Sequence, residues 1–112
     1  MTRVVLIAGH ETTVNLIANG ILTLIRHPAE ALRLRENPVR QELLRFEPLV
    51  PFIQNRAAIA DIELSGVIIP KGSTVILLLA AANRDNAQFP AADRFAPDRR
   101  DNQHLGFGQR HP

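Results

Sequence analysis

The feature that most constrains this chain is its first 25 residues. Ile7, Val14, Ile21, Leu24 and Ile25 recur at helical spacing, with Ile17 and Leu22 beside them. Glu11, Asn15 and Asn19 fall four apart and draw one polar stripe along the same helix. Both flanks of that stripe are apolar, so the pattern predicts a long helix over 2–26, buried inside something larger. Pro28 ends it, because the residue before a proline avoids helical angles. Val4 to Ile25 could cross a bilayer by length alone. That placement would put His10, Glu11, Asn15 and Asn19 at hydrocarbon depth, at high cost. The apolar run after Arg3 stops at Gly9, too short for a secretory signal. The expectation is a cytoplasmic protein with no membrane partner.

Proline and glycine then punctuate the chain. A short helix is predicted over 28–37, with Pro28 in its first turn and Ala31, Leu32 and Leu34 as its apolar side. A third is predicted over 39–47, before Pro48, contributing Leu43, Leu44 and Phe46. After Pro48 the period changes. Residues 49–59 read as extended, and Ile62–Leu64, Ser65–Gly66 and Val67–Ile69 read as a hairpin. Pro70–Gly72 is a turn, and Thr74–Leu79 reads as a buried strand. From Ala80 onward Pro90, Pro97 and Gly106 leave no regular element, and an unstructured tail of that length points to function or to missing context. The fold class is α+β, mainly helical, with one small antiparallel or mixed sheet and a C-terminal meander. The organisation is a single partial domain: a helical part over 1–48, the sheet over 49–80, and the meander over 81–112.

Composition narrows function by exclusion. With 112 residues the chain is one small domain, and with 46% hydrophobic residues it is not a disordered tail. There is no cysteine, hence no thiolate nucleophile, no disulfide and no thiolate metal ligand; no metal site is predicted. Twelve of the 13 basic residues are arginine, yet they are scattered, and Asp98 and Asp101 flank the adjacent Arg99–Arg100 pair. With no Trp or Tyr to stack on bases, nucleic acid is not an expected partner.

Three constellations could carry chemistry. Gly9 lies mid-helix, where glycine costs about 1 kcal/mol relative to alanine. It precedes Glu11 and two threonines, whose hydroxyls can bond carbonyls one turn back and distort the helix. An acid beside an alcohol could deliver protons. Taken alone, a packing glycine under a crossing helix, with Glu11 paired to an arginine, explains these residues better. Glu42-Leu43-Leu44-Arg45 places two charges on one helical face, alone an ordinary surface pair. Asp93-Arg94-Phe95 alone reads as a solvated loop.

In this order the three resemble the C-terminal half of a bacterial cytochrome P-450, a haem-thiolate monooxygenase, over nearly all 112 residues. Ala8-Gly9-His10-Glu11-Thr12-Thr13 looks like the family's oxygen-activation helix, and Glu42 to Arg45 like its E-x-x-R helix. Phe89-Pro90-Ala91-Ala92-Asp93-Arg94-Phe95 looks like the meander, and His104-Leu105-Gly106-Phe107-Gly108 like the start of the haem-binding loop. Ala81-Ala82-Asn83-Arg84-Asp85 between them also matches. The resemblance implies a partial cytochrome P-450 fold with haem as cofactor. It makes Glu11 and Thr12 the catalytic acid–alcohol pair, with Ala8 and Gly9 bordering the oxygen groove. It implies a buried triad of Glu42, Arg45 and Arg94 that holds the meander to the core. Arg56 and His104 would meet haem propionates, Phe107 would pack under the haem, and Phe52 and Ile53 would line the substrate pocket. The partners implied are a small organic substrate and a ferredoxin-type electron donor.

The chain also departs from the family pattern. Arg110 stands where the loop's second glycine belongs, His111 and Pro112 are out of register, and the axial cysteine is absent. Few residues precede the oxygen motif, and the segment between Asn37 and Gln41 is short. The expectation is therefore a truncated monooxygenase, inactive alone, that exposes Val4, Leu6, Ile7, Val14, Ile17 and Leu24 and self-associates. The alternative is a non-catalytic interaction fragment of the same fold that docks with a separately encoded half.

Overall fold

Pro28 divides the helical part where the sequence predicts. Helix α1 spans Thr2–Arg26 and α2 spans Pro28–Glu36. The break is shallow: the His27 N–H donates to the Thr23 carbonyl at 3.0 Å, and the Ala31 N–H donates to the His27 carbonyl at 3.0 Å. Helix α3 follows over Gln41–Phe46. The computed structural model describes residues 2–36 and 41–107. The expectations at Val4, Asn37–Pro38, Gly108, Arg110, His111 and Pro112 concern residues or side chains outside those described.

Two antiparallel ribbons replace the single small sheet expected from sequence. Strand β1 (Ile53–Ala57) pairs with β4 (Thr74–Leu77), and β2 (Ile62–Leu64) pairs with β3 (Val67–Ile69). Ser65 and Gly66 take φ of +50° and +80°, the tight turn a two-residue hairpin requires. The β1–β4 register shifts between Ile53 and Arg56, around Asn55 at φ +61°. β4 is not the buried strand expected: only Val75 is half-buried, because no second layer covers the ribbon. A one-turn helix, α4 (Leu79–Ala82), occupies ground read as irregular, built on three consecutive alanines.

Helix α1 has the predicted length, and the exposure expected of Leu6, Ile7, Val14 and Ile17 is present, while Leu24 is half-buried. Leu6, Ile7 and Ile25 are 73%, 59% and 70% exposed. Of its described side chains only Gly20 and Thr23 are buried, because α2 and α3 approach one end of it alone. Gly20 is the close contact: a Cβ there would come within 3.0 Å of Leu43 Cδ2. Gly9, the packing glycine of the bland reading, meets nothing within 4 Å. The buried apolar side chains are Phe89, Ala92 and Phe95 in the meander and Ala58 at the end of the β1–β4 ribbon, against Gly72 and Ser73. His27, Phe46 and Phe95 form an aromatic triangle with centroids 5.4–5.8 Å apart.

A buried charge clamp and an apolar cavity

The two largest polar side chains of the core are a pair. Glu42 and Arg45 are both 0% exposed. One helical turn apart on α3, they meet through two parallel bonds: Arg45 Nε donates to Glu42 Oε2 and Nη2 to Oε1, each at 2.8 Å. The meander supplies the remaining partners. The Ala96 N–H donates to Glu42 Oε1 at 2.9 Å and Asn102 Nδ2 donates to Oε2 at 3.0 Å. Arg45 Nη1 donates to the Asn83 carbonyl at 2.6 Å, and its guanidinium lies 5.3 Å from the Phe89 ring. Burial alone would push the Glu42 carboxyl up. The Arg45 and Ala96 hydrogen bonds and the charges of Arg45 and Arg99 outweigh burial and hold it below its ordinary value.

The second cation on Glu42, completing the three-residue cluster, is Arg99, not Arg94. Arg99 Nε donates to Glu42 Oε2 at 3.2 Å, and its Nη1 donates to the Pro90 carbonyl at 2.8 Å. Arg94 is exposed and contributes only its carbonyl, which accepts from Arg45 Nη2 at 3.2 Å and Arg99 Nη2 at 3.4 Å. The physical reason lies at Ala91. Its φ of +53° turns the meander so that residues 96–99 return across α3 while residue 94 points outward. Arg99 and Asn102 were missed from sequence. The usable signal was Asn102 and a second acid–arginine pair, Asp98-Arg99, five residues beyond the first.

A second feature is a cavity of about 520 Å³ beside the clamp. Thr12 of α1 forms one wall, and Leu105, Gly106 and Phe107 of the loop form another. Leu49, Val50, Ile53, Leu77 and Leu79 complete an almost wholly apolar lining. Gly106 is required where it stands, since a Cβ would come 2.8 Å from His104 Nδ1 and 3.3 Å from the Leu44 carbonyl. Thr12 Oγ1 donates to the Ala8 carbonyl and Thr13 Oγ1 to the Gly9 carbonyl, both at 2.6 Å, the back-bonding anticipated for this stretch.

The structure brings some of the predicted residues to this cavity and leaves others apart. Thr12, Ile53 and Phe107 line it. Ala8, Gly9 and Glu11 are exposed on α1, and among the described residues Glu11 forms no ion pair. Phe52 is 47% exposed next to Ile53 and is not among the lining residues. Arg56 stands exposed on β1 opposite Val75, outside the lining. His104 lies behind the loop, its Nδ1 accepting from the Gly106 N–H at 2.9 Å. Burial first, then the Arg45 charge, push its pKa below the ordinary value against a smaller opposing pull from Glu42. Leu49, Val50, Leu77, Leu79 and Leu105 were not singled out from sequence, because their apolar character looks the same in a core.

The comparisons with known proteins agree with this geometry. The family model described as Cytochrome P450 matches residues 37–111. The chain is 48% identical over 110 residues to the biotin biosynthesis cytochrome P450 of Bacillus subtilis, covering 94% of this chain and 28% of that protein. It is 41% identical over 113 residues to the cytochrome P450 monooxygenase PikC of Streptomyces venezuelae, covering 96% of this chain and 27% of that protein. A crystal structure of P450BioI in complex with hexadec-9Z-enoic acid ligated acyl carrier protein superposes with a TM-score of 0.85 over 94% of this chain and 28% of its own, at 48% identity. The chain thus spans a little over a quarter of the length of the relatives it matches. Sequence, clamp and backbone course agree, and the chain belongs to the cytochrome P450 family.

Proposed function

We propose that this chain forms part of the haem cavity of a monooxygenase that inserts one atom of dioxygen into a small apolar organic substrate. The observation that carries the reading is the apolar cavity held between Thr12 and the Gly106–Phe107 loop. A flat, largely apolar macrocycle suits such a lining. When bound, haem supplies reduction of dioxygen with two electrons and two protons, one oxygen atom entering the substrate and the other leaving as water.

The chain's own residues would then take these roles. Leu49, Val50, Leu77 and Leu105 exclude water from the cavity, and Phe107 packs on the loop side. The Thr12 hydroxyl is the polar side chain in the lining and is positioned to pass protons, with exposed Glu11 as their source from solvent. Ala8 and Gly9, free of side-chain bulk, border the groove. Neutral His104 spends Nδ1 on Gly106, which leaves its Nε2–H for a propionate; Arg56 offers a second, charged donor. Ile53, with Phe52 beside it, faces the substrate. Glu42, Arg45 and Arg99 hold the meander and contact no reactant.

A protein ligand to the haem iron would have to be a Cys, His, Met or Tyr side chain. No lining residue is His, Met, Tyr or Cys, and no cysteine occurs among the 112 residues. The thiolate that pushes electron density toward O–O cleavage is therefore not supplied by these residues, and the polypeptide alone is inactive. A named relative supports an apolar substrate: it is seen in complex with hexadec-9Z-enoic acid ligated acyl carrier protein. A ferredoxin-type donor and a cytoplasmic location complete the proposal; no helix of the described residues is long and apolar enough to cross a membrane. The exposed apolar face of α1 favours a second reading, a non-catalytic piece that docks with a separately encoded half.

Haemin titration of the 112-residue chain, followed by reduction and a carbon monoxide difference spectrum, tests the proposal. Saturable binding without a thiolate-type Soret band is expected. Absence of saturable binding would overturn the cavity assignment, and substrate turnover by this polypeptide with an electron source would overturn its inactivity.

A further inference from the structure

We infer that Asn83 is a positioning residue of the cavity, fixing Leu105 and with it the Gly106–Phe107 wall against the Glu42–Arg45 clamp. Asn83 is 0% exposed. It uses three polar groups on three different segments. Its N–H donates to the Leu79 carbonyl of α4 at 3.0 Å, its carbonyl accepts from Arg45 Nη1 at 2.6 Å, and its Oδ1 accepts from the Leu105 N–H at 2.8 Å. Leu79 and Leu105 both line the cavity. One residue therefore ties two cavity walls to the buried ion pair.

The side chain is there for its oxygen. Its Nδ2 is buried with no hydrogen-bond partner among the described residues. A buried amide donor left unpaired is unfavourable, so the acceptor bond to Leu105 must outweigh it. The loop's other local tie runs from the Gly106 N–H to His104 Nδ1, within the loop itself, and moves with it. With Asn102 tying the start of the loop to Glu42, the Asn83–Leu105 bond sets the height of residues 104–107 relative to α3 and α4. Because Arg45 bonds the Asn83 main chain, substituting the side chain leaves the clamp's own hydrogen bonds in place.

This inference rests on the haem reading of the cavity, and its test separates the two. Amide hydrogen exchange and haemin titration are measured on the full chain with wild type, Asn83→Ala and Asn83→Asp. In wild type the Leu105 amide is expected to be protected; rapid exchange there overturns the inference without any variant. Asn83→Ala is expected to speed exchange of 104–107 about tenfold, with α3 unchanged, and to weaken haemin binding by a similar factor. Asn83→Asp keeps the acceptor oxygen and is expected to restore protection at Leu105; failure to do so overturns the inference even if the alanine variant does not fold. If wild type binds no haemin, the haem reading fails while the exchange comparison still decides the role of Asn83.

Discussion

Replacing Glu42 by alanine should remove about half of this chain's stability, and the structure gives the magnitude. The substitution removes the acceptor of Arg45 Nε, Arg99 Nε, the Ala96 N–H and Asn102 Nδ2. Arg45 is fully buried, so it is left as a desolvated cation, a situation that costs about 3–5 kcal/mol. Its remaining partners, the Asn83 and Arg94 carbonyls and the Phe89 ring, place the loss toward the lower part of that range. A chain of this length has a total stability of about 6–17 kcal/mol. This one belongs near the lower end, because its buried apolar core among the described residues is four side chains, two of them alanine. The assay is urea denaturation followed by far-ultraviolet circular dichroism. With a slope of about 1.5 kcal/mol/M, a loss of about 3 kcal/mol lowers the midpoint by about 2 M. Arg99→Ala should cost about 1–2 kcal/mol, since its tie to Glu42 and its bond to the Pro90 carbonyl are both lost, at a half-buried position where water can replace them. Arg94→Ala should leave the midpoint within measurement error, because that side chain is exposed. A Glu42→Ala midpoint within 0.3 M (about 0.5 kcal/mol) of wild type, or an Arg94 variant weaker than the Arg99 variant, would refute the assignment of the clamp.

Three further outcomes can be checked. Stability should fall as pH drops below 6.5, the ordinary value for histidine, because His104 titrates lower when folded and the unfolded chain binds the proton first. A second loss should begin below 4.5 as Glu42, whose folded value is depressed, is protonated; thermal melts of wild type and His104→Asn across this range separate the two. Ala91→Gly should stabilise the chain by about 1 kcal/mol, because alanine at φ +53° pays a left-handed penalty that glycine does not; calorimetry should show a rise of a few degrees, and a lower melting temperature would contradict the meander geometry. Sedimentation velocity should show concentration-dependent association through the exposed Leu6, Ile7, Val14 and Ile17 face, and a sharp monomer at all concentrations would rule it out.

What could be read from the sequence divides along physical lines. Element type and boundaries were legible wherever proline or glycine forced them: Pro28 between α1 and α2, Ser65–Gly66 in the hairpin, Gly72 at φ +84° after Pro70. The Glu42–Arg45 pair was legible because i, i+3 spacing on a helix leaves little freedom. Its third partner was not. Asp93-Arg94 and Asp98-Arg99 carry the same local chemistry in a stretch without periodicity, and the choice between them is made by the backbone turn at Ala91. The apolar period of α1 fixed its helicity, but period does not say whether a cover is present. Leu49, Leu77 and Leu79 were invisible as cavity residues for a related reason: a leucine that faces a void and one that faces a core have the same sequence signature.

The clamp and the cavity are two parts of one device with unequal support. Glu42 gathers the meander, and Arg45 passes that order to Asn83, which holds Leu105. The loop wall is therefore braced by buried, charge-assisted bonds, whose strength grows as water is excluded. The opposite wall is Thr12, on a helix whose described close packing begins only at Gly20 and Thr23, two to three turns away. Among the described residues the two walls thus differ in what holds them: buried hydrogen bonds on the loop side, and at Thr12 the bond to its own helix's Ala8 carbonyl.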